Sequence, residues 1–388
     1  MLFDGLKPQA PDALLALIGM FAADPREGKI DLGVGVYRDE SGATPVFRAV
    51  KAAEAKLVET QTSKSYLGPE GDVRFTELLK PIVFGAGADT TDIVGVQTPG
   101  GTGALRLAAE LIAWAKPKAT IWLGTPTWPN HPPTFSSAGL TLATYRYFDQ
   151  AGQVIRFDEM MDALNGAEAG DVALLHGCCH NPTGANLTAG QWREVAALAA
   201  GRGLIPLVDL AYQGLGDGLD EDAAGLRAVL EACEDVIVAF SCDKNFGLYR
   251  DRVGALYVRA KQAARAELVL SNMLALARPN WSMPPDHGAA VVRTILDDAA
   301  LAADWRDELT SMRLRIAQVR QALAAGHPFL APLAHQQGMF SLLPLSPEQV
   351  GTLRKDHAVY MAGSGRANLA GLTLKTVPQF IAALKTVV

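Results

Sequence analysis

Short apolar runs separated by longer amphipathic stretches set the pattern of this chain. "DIVGVQ" (92–97), "ATIWLG", "LATYRYF", "VALLHG", "LIPLVD", "VIVAFS" and "VGALYV" are too short for helices and apolar almost throughout. Between several of them lie segments with helical spacing, among them "ALRLAAELIAWA" (104–115), "TAGQWREVAALAAGR" (188–202) and "DEDAAGLRAVLEACE" (220–234). All-apolar strands alternating with helices predict an α/β fold, with a mostly parallel central sheet and helices on both faces. "VGALYV" follows "KNFGLYRDR" with no intervening helix and is expected to pair antiparallel. Beyond about residue 260 come long helices, "KQAARAELVLSNMLAL" and "ADWRDELTSMRLRIAQVRQALAAG". A compact α+β segment then ends the chain, with "GMFSLLPL" as strand and "LKTVPQFIAALKTV" as helix.

Composition narrows the classes. A chain of 388 residues predicts two domains rather than one simple core. The formal charge of −6, with no basic run, argues against a nucleic-acid surface. The N-terminus "MLFDGLKPQAPDALLALIG" has no basic start and carries Asp4, Pro8, Pro11 and Asp12, so it does not read as a secretory signal. No apolar stretch reaches membrane-spanning length. Cys178, Cys179, Cys233 and Cys242 lie in apolar surroundings at spacings that match no zinc pattern, which predicts buried thiols in a reducing cytoplasm.

Ligands of open parallel sheets sit beyond the carboxyl ends of the strands, so the residues after each apolar run carry the chemistry. Asn181 follows "VALLHG", Asp209 ends "LIPLVD" with Tyr212 just after it, and Ser241 and Lys244 follow "VIVAF". Asp209 and Lys244 are one strand–helix–strand crossover apart, which places them on neighbouring strand ends. "TPGGTGAL" runs into a helix and offers backbone N–H groups to an anion. An anion cradle with an aspartate, a phenol, an amide and a lysine suits pyridoxal 5′-phosphate. That cofactor needs an amine for its aldehyde and an acid for its ring nitrogen.

Plainer roles compete at each position. Lys244 could be a surface lysine and Asp209 a helix cap. Trp128 could be loop packing between Pro126 and Pro129, and Arg252 could pair with Asp251 or Asp217. Arg278 could serve an interface salt bridge, and His131 and His176 could be core histidines. A dinucleotide reading of "GGTGALRL" fails, because Arg106 stands where the third glycine should be and no acid ends the next strand.

"GVGVYRDESG", "SYLGPEG", "PTWPNH", "HGCCHNPTG", "VDLAYQGLGDG", "SCDKNFGLYRDRVG" and "GSGRANLAGL" occur in one order over nearly the whole chain. Together they resemble the aspartate/aromatic aminotransferases, class I enzymes of the fold-type I pyridoxal-phosphate group. The resemblance implies that Lys244 binds the cofactor's aldehyde and shuttles a proton, and that Asp209 pairs with the ring nitrogen. Asn181 and Tyr212 would hydrogen-bond the ring oxygen. Gly101, Thr102, Ser241 and Arg252 would hold the phosphate, with Tyr66 and Ser282 reaching in from a partner subunit. Trp128 would stack on the ring, backed by His131 and His176. Gly35, Trp128 and Asn181 would line the substrate site, with Arg366 gripping the α-carboxylate and Arg278 of a partner subunit meeting a second carboxylate.

The resemblance further implies a homodimer with shared sites. It assigns an N-terminal arm (1–11), a large cofactor-binding domain (45–311) and a small domain (12–44 and 312–388). The expected reaction moves the amino group of aspartate, glutamate and aromatic L-amino acids to 2-oxoglutarate or oxaloacetate by a ping-pong cycle. A wall of Val36, Thr44, Ser65, Met283 and Trp128 would leave room for an aromatic ring. A lyase or decarboxylase with the same cofactor is the alternative, and a non-enzymatic ligand-binding protein ranks last. Asp243 departs from the family, which commonly has serine or another small residue before the lysine. It either faces Lys244 and favours the protonated amine, or looks away, as neighbours in extended backbone do; the second is expected.

Overall fold

The computed structural model describes residues 1–8 and 13–388, with the side chains of 13–15 left aside. Residues 9–11 of the expected arm, and residue 12, therefore lie outside the described residues. The seven apolar runs form one sheet: β1 (Ile93–Pro99), β2 (Thr120–Thr125), β3 (Thr141–Arg146), β4 (Val172–His176), β5 (Ile205–Leu210), β6 (Asp235–Ser241) and β7 (Val253–Ala260). Their order across the sheet is β1-β7-β6-β5-β4-β2-β3. β7 is antiparallel to both its neighbours, as its missing crossover helix predicts, and the other pairings are parallel.

Alternation along the strands divides the core into two layers. Val208, Val238, Phe240 and Tyr257 point to one face, against the helices Arg48–Thr60, Val73–Phe84, Ala189–Arg202 and Asp286–Leu296. Leu207, Ile237, Ala239 and Leu256 point to the other, against Gly100–Ala115 and Ala263–Trp281. With both faces covered, β6 is buried along almost its whole length, which is why it reads as a continuous apolar run. Thr188 starts its helix as expected, accepting a hydrogen bond from Gln191 N at 3.3 Å.

A third apolar cluster joins Ile30 and Leu32 to Val319, Leu323, Leu343, Leu353, Val359 and Phe380. Two small sheets frame it, Ile30–Asp31 parallel to Val359–Tyr360 and Phe340–Leu342 antiparallel to Arg366–Asn368. The helix Ala299–Gly326 bridges the cores, contributing Trp305 and Leu309 to the first and Val319 and Leu323 to the third. The expected boundary at 311/312 thus falls inside one continuous helix.

Three local differences from the sequence expectation bear on the site. The first helix after β1 begins at Gly100 rather than 104, so "GGT" forms its first turn instead of a preceding loop. The segment 220–234 divides into a 3₁₀ turn, Glu221–Ala223, and a helix, Ala224–Ala232. The helix expected to end at Leu276 runs on to Trp281 and carries Arg278 in its last turn.

Candidate active site

Beyond the carboxyl ends of β5 and β6 an open-mouthed cavity of about 180 Å³ gathers the residues expected from the strand ends. Gly35, Gly101, Thr102, Trp128, Asn181, Asp209, Tyr212, Ser241, Lys244 and Arg252 all line it. β5 and β6 are parallel neighbours, with Asp209 opposite Ala239, so the two strands deliver Asp209 and Lys244 to the same cavity. Lys244 Nζ lies 5.3 Å from the centre of the Tyr212 ring. The turn carrying it is pinned from behind: Trp305 Nε1 donates to Asn245 O at 2.7 Å, and Phe246 stacks on Trp305 at 4.4 Å.

Asp209 is a buried carboxylate rather than a helix cap. His131 Nε2 lies 3.0 Å from its Oδ2, while Thr127 Oγ1 lies 2.7 Å from His131 Nδ1 and 3.0 Å from His176 Nε2. Burial works against the Asp209 charge, but the His131 hydrogen bond and the fields of His131, His176 and Lys244 outweigh it and hold the carboxyl below its ordinary range. Burial, then the neighbouring His131, pushes His176 down to about 3. His131 is thus fully buried and backs Asp209 directly, while His176 is half-buried, lines the cavity and joins the group through Thr127. Thr127, which joins them, is a site residue the sequence reading passed over, although it lies inside the quoted "PTWPNH".

On the adjoining wall Asn181 Nδ2 donates to Tyr212 OH at 3.3 Å, and Asn181 Oδ1 is buried without a partner. Burial raises the Tyr212 phenol well above its ordinary pKa, against the pull of the Arg366 charge. The loop after Tyr212 is folded around Asp222, whose carboxylate accepts from Gly214 N, Gly216 N and Asp217 N at 2.8–2.9 Å. Burial also lowers the Lys244 pKa, opposed by the attraction of Asp243 and Asp209.

The anion end is built from close backbone approach. Gly100 adopts φ +70°, and a Cβ there would lie 2.5 Å from Arg252 Nη2. A Cβ on Gly101 would lie 3.1 Å from Ser241 Cβ. The helix N-terminus therefore lies bare beside a hydroxyl and a guanidinium, which suits a phosphate. Arg252 pairs with neither Asp251 nor Asp217. It sits at φ 55°, and its Nη1 donates to Asp243 Oδ2 at 2.5 Å and to Tyr249 O at 3.0 Å. Asp243 thus turns to Arg252 and to Val253 N, not to Lys244.

Arg366 stands near the cavity wall formed by Gly35; a Cβ on Gly35 would lie 3.6 Å from its Nη2 and 2.8 Å from Phe340 Cζ. Its guanidinium lies 4.1 Å over the Phe340 ring, and Nε is buried without a partner. Phe340 carries no polar signal for sequence reading to single out; the cavity-lining Tyr249, whose hydroxyl accepts from Tyr37 N at 3.1 Å, was passed over although it lies inside "SCDKNFGLYRDRVG". Trp128 lines the cavity with its ring edge-on to His131, 5.3 Å between centres. Tyr66 and Arg278 are not in this chain's cavity. Tyr66 is 94% exposed, in a surface hollow with Ser65 and Met283, and Arg278 is exposed with Nη1 donating to Ser282 Oγ at 2.6 Å. The four cysteines are buried and free, and among the described residues no helix is long and apolar enough to cross a membrane.

Comparison with known proteins shows the family. Residues 27–384 match the model of the family described as aminotransferase class I and II. A tyrosine aminotransferase of Rhizobium meliloti (strain 1021) is 57% identical over 375 residues, 96% of each chain. An aspartate aminotransferase of Escherichia coli (strain K12) is 45% identical over 382 residues, again 96% of each. A crystal structure of an aromatic-amino-acid aminotransferase from Burkholderia pseudomallei, covalently bound to pyridoxal phosphate, superposes with a TM-score of 0.96 at 36% identity, covering 100% of this chain and 99% of that one. The family match, the close relatives and the shared fold show that the chain belongs to the class I and II aminotransferase family and is an enzyme of that kind, an aminotransferase.

Proposed function

We propose that the enzyme uses pyridoxal 5′-phosphate to move the amino group of aspartate, glutamate and aromatic L-amino acids to a 2-oxo dicarboxylic acid, in two half-reactions. The observation that carries this reading is the content of one cavity. It holds a recessed lysine, a buried carboxylate backed by His131, a phenol–amide pair, and a glycine-lined helix start beside Ser241 and Arg252. The unpartnered Asn181 Oδ1 and the bare first turn at Gly100 and Gly101 are features a bound group would complete. When bound, the cofactor supplies the aldehyde carbon that takes an amino group and the ring that accepts the electron pair left at the substrate's Cα.

The chain's own residues then have definite tasks. Lys244 Nζ would hold the cofactor's aldehyde end and is placed to take up the proton leaving the substrate's Cα. Its lowered pKa makes the neutral, proton-accepting amine more available. Asp209, kept ionised and positioned by His131 and, through it, Thr127, would pair with the ring nitrogen. Tyr212 and Asn181 serve the ring oxygen. Gly101, Thr102, Ser241 and Arg252 would hold the phosphate, and Trp128 would cover the ring. Arg366 takes the α-carboxylate with two parallel N–H donors, oriented by the Phe340 ring beneath it.

The site reads as half of a shared one. Tyr66, Ser65, Met283 and Arg278 lie on outer surfaces of this chain, and Met1, Leu2, Phe3 and Leu6 are exposed at its N-terminus. In a homodimer Tyr66 would reach the partner's phosphate and Arg278 the partner's second substrate carboxylate. Ser65 and Met283 would close a substrate wall with Val36, Thr44 and Trp128. The division into an arm (1–11), a large domain (45–311) and a small domain (12–44 and 312–388), and a cytoplasmic location, belong to the same reading.

Mixing the cofactor-loaded enzyme with amino acid alone should yield stoichiometric pyridoxamine phosphate and keto acid; a lyase would release product without it. With 2-oxoglutarate present, both aspartate and phenylalanine should turn over. Absence of phenylalanine turnover removes the aromatic half of the proposal. Arg366→Leu should raise KM on the order of 10²-fold for both donors, since both present an α-carboxylate. An effect on aspartate alone contradicts the assigned role.

A further inference from the structure

We infer that Asp243 holds Arg252 as a built-in competitor for the cofactor's phosphate, so that this enzyme keeps its cofactor exchangeable rather than permanently bound. The inference rests on the proposed use of pyridoxal 5′-phosphate. Its basis is the pairing of two residues that both line the cavity. Asp243 is 3% exposed, and its two oxygens are fixed by different groups: Oδ2 accepts from Arg252 Nη1 at 2.5 Å, Oδ1 from Val253 N at 3.3 Å. Its own N–H donates to Ser241 Oγ at 3.2 Å. Arg252 Nη1 is further occupied by Tyr249 O at 3.0 Å, which leaves Nη2 as the end that faces Gly100.

The consequence is one of charge. The cations lining the cavity are Lys244 and Arg252, and the carboxylates are Asp209 and Asp243. They cancel. A phosphate arriving at the helix start finds a guanidinium whose charge is already compensated. The compensating oxygen is near its own path, because a Cβ on Gly100 would lie 3.2 Å from Asp243 Oδ2. A like charge at that range in a recessed site weakens anion binding by roughly tenfold or more. Asp243 cannot relieve the repulsion by turning away, since Val253 N and the Arg252 pair hold it in place. Tyr249, Lys244 and the Gly100 backbone are the other groups around it, and of these only Lys244 carries a charge.

The test compares the parent with Asp243→Asn, which keeps the size and an acceptor for Val253 N but removes the charge. Asp243→Ser is the second variant, and thermal melting checks both. Three probes are titrated into cofactor-free protein: inorganic phosphate, pyridoxal 5′-phosphate and pyridoxal, which lacks the phosphate. We expect both variants to bind the two phosphate-bearing probes about tenfold or more tightly than the parent and to release pyridoxal 5′-phosphate more slowly, with a much smaller change in pyridoxal affinity. Unchanged or weaker phosphate binding overturns the inference, because Asp243 would then only position Arg252. Equal tightening of pyridoxal overturns it too, because the effect would lie at Lys244. Failure of the parent to form a chromophore with pyridoxal 5′-phosphate overturns the cofactor reading instead, and is seen before any variant is compared.

Discussion

Lys244→Ala is expected to reduce amino-group transfer by at least about 10⁴-fold while leaving the fold intact. Among the described residues the lysine side chain makes no hydrogen bond that holds two elements together; it lies against the Tyr212 ring, and the turn around it is pinned by Asn245 O and Phe246 instead. On the proposed function, removing it would take away both the tether and the group that carries the Cα proton, with no free base among the neighbours to replace it. Asp209 and Asp243 are committed to His131 and Arg252, and the buried Tyr212 phenol is held far from ionisation. The measurement is single-turnover conversion of aspartate, with the melting temperature as control. Transfer within tenfold of the parent by a well-folded variant would remove Lys244 from the mechanism.

Asp209→Asn ranks second, with an expected loss of about 10³-fold. Asparagine fits the same space and can still meet His131, so the melting temperature should fall little at neutral pH. What disappears is the fixed negative charge that the ring nitrogen would face. The linkage has a definite sign. The folded-state pKa of Asp209 is depressed, so the parent has a stabilisation from this group that is fully present above the ordinary carboxylate value, about 3.9, and is lost as pH falls through the lower folded value. The stability difference between parent and variant should therefore be constant from neutral pH to about pH 5 and shrink only in stronger acid. A difference that instead changes around pH 6–7 would assign the linkage to the histidines. Loss of activity without loss of cofactor affinity would place Asp209 in the chemistry rather than in binding.

The strand-end lining of the cavity was legible because of where apolar runs stop. β4, β5 and β6 are buried on both faces, so their composition marks them without ambiguity, and the polar residue ending each run must lie at the sheet's carboxyl edge. Asn181, Asp209, Ser241 and Lys244 follow directly. The antiparallel β7 was equally plain, since "KNFGLYRDR" leaves no room for a crossover helix. Strand order was not legible, because apolar periodicity says which face is buried and nothing about which strand is the neighbour.

The partner of Arg252 was missed for a different reason. Near neighbours in sequence offered Asp251 and Asp217, but Arg252 takes a left-handed backbone that carries its side chain back to Asp243, nine residues upstream. No glycine or asparagine marks that position. Thr127 was passed over because a threonine between two prolines reads as a loop residue until His131 and His176 are seen on either side of it. Tyr66 and Arg278 were named from the family resemblance alone, and in the single chain they lie on the outside.

The account comes down to one covalent link. Reducing the yellow, cofactor-loaded enzyme with borohydride and mapping its peptides by mass tests it most directly. The account predicts one pyridoxyl phosphate per chain, on the peptide containing Lys244. A label fixed to any other lysine, or no label from an enzyme that is saturated with cofactor and transferring amino groups, would contradict it.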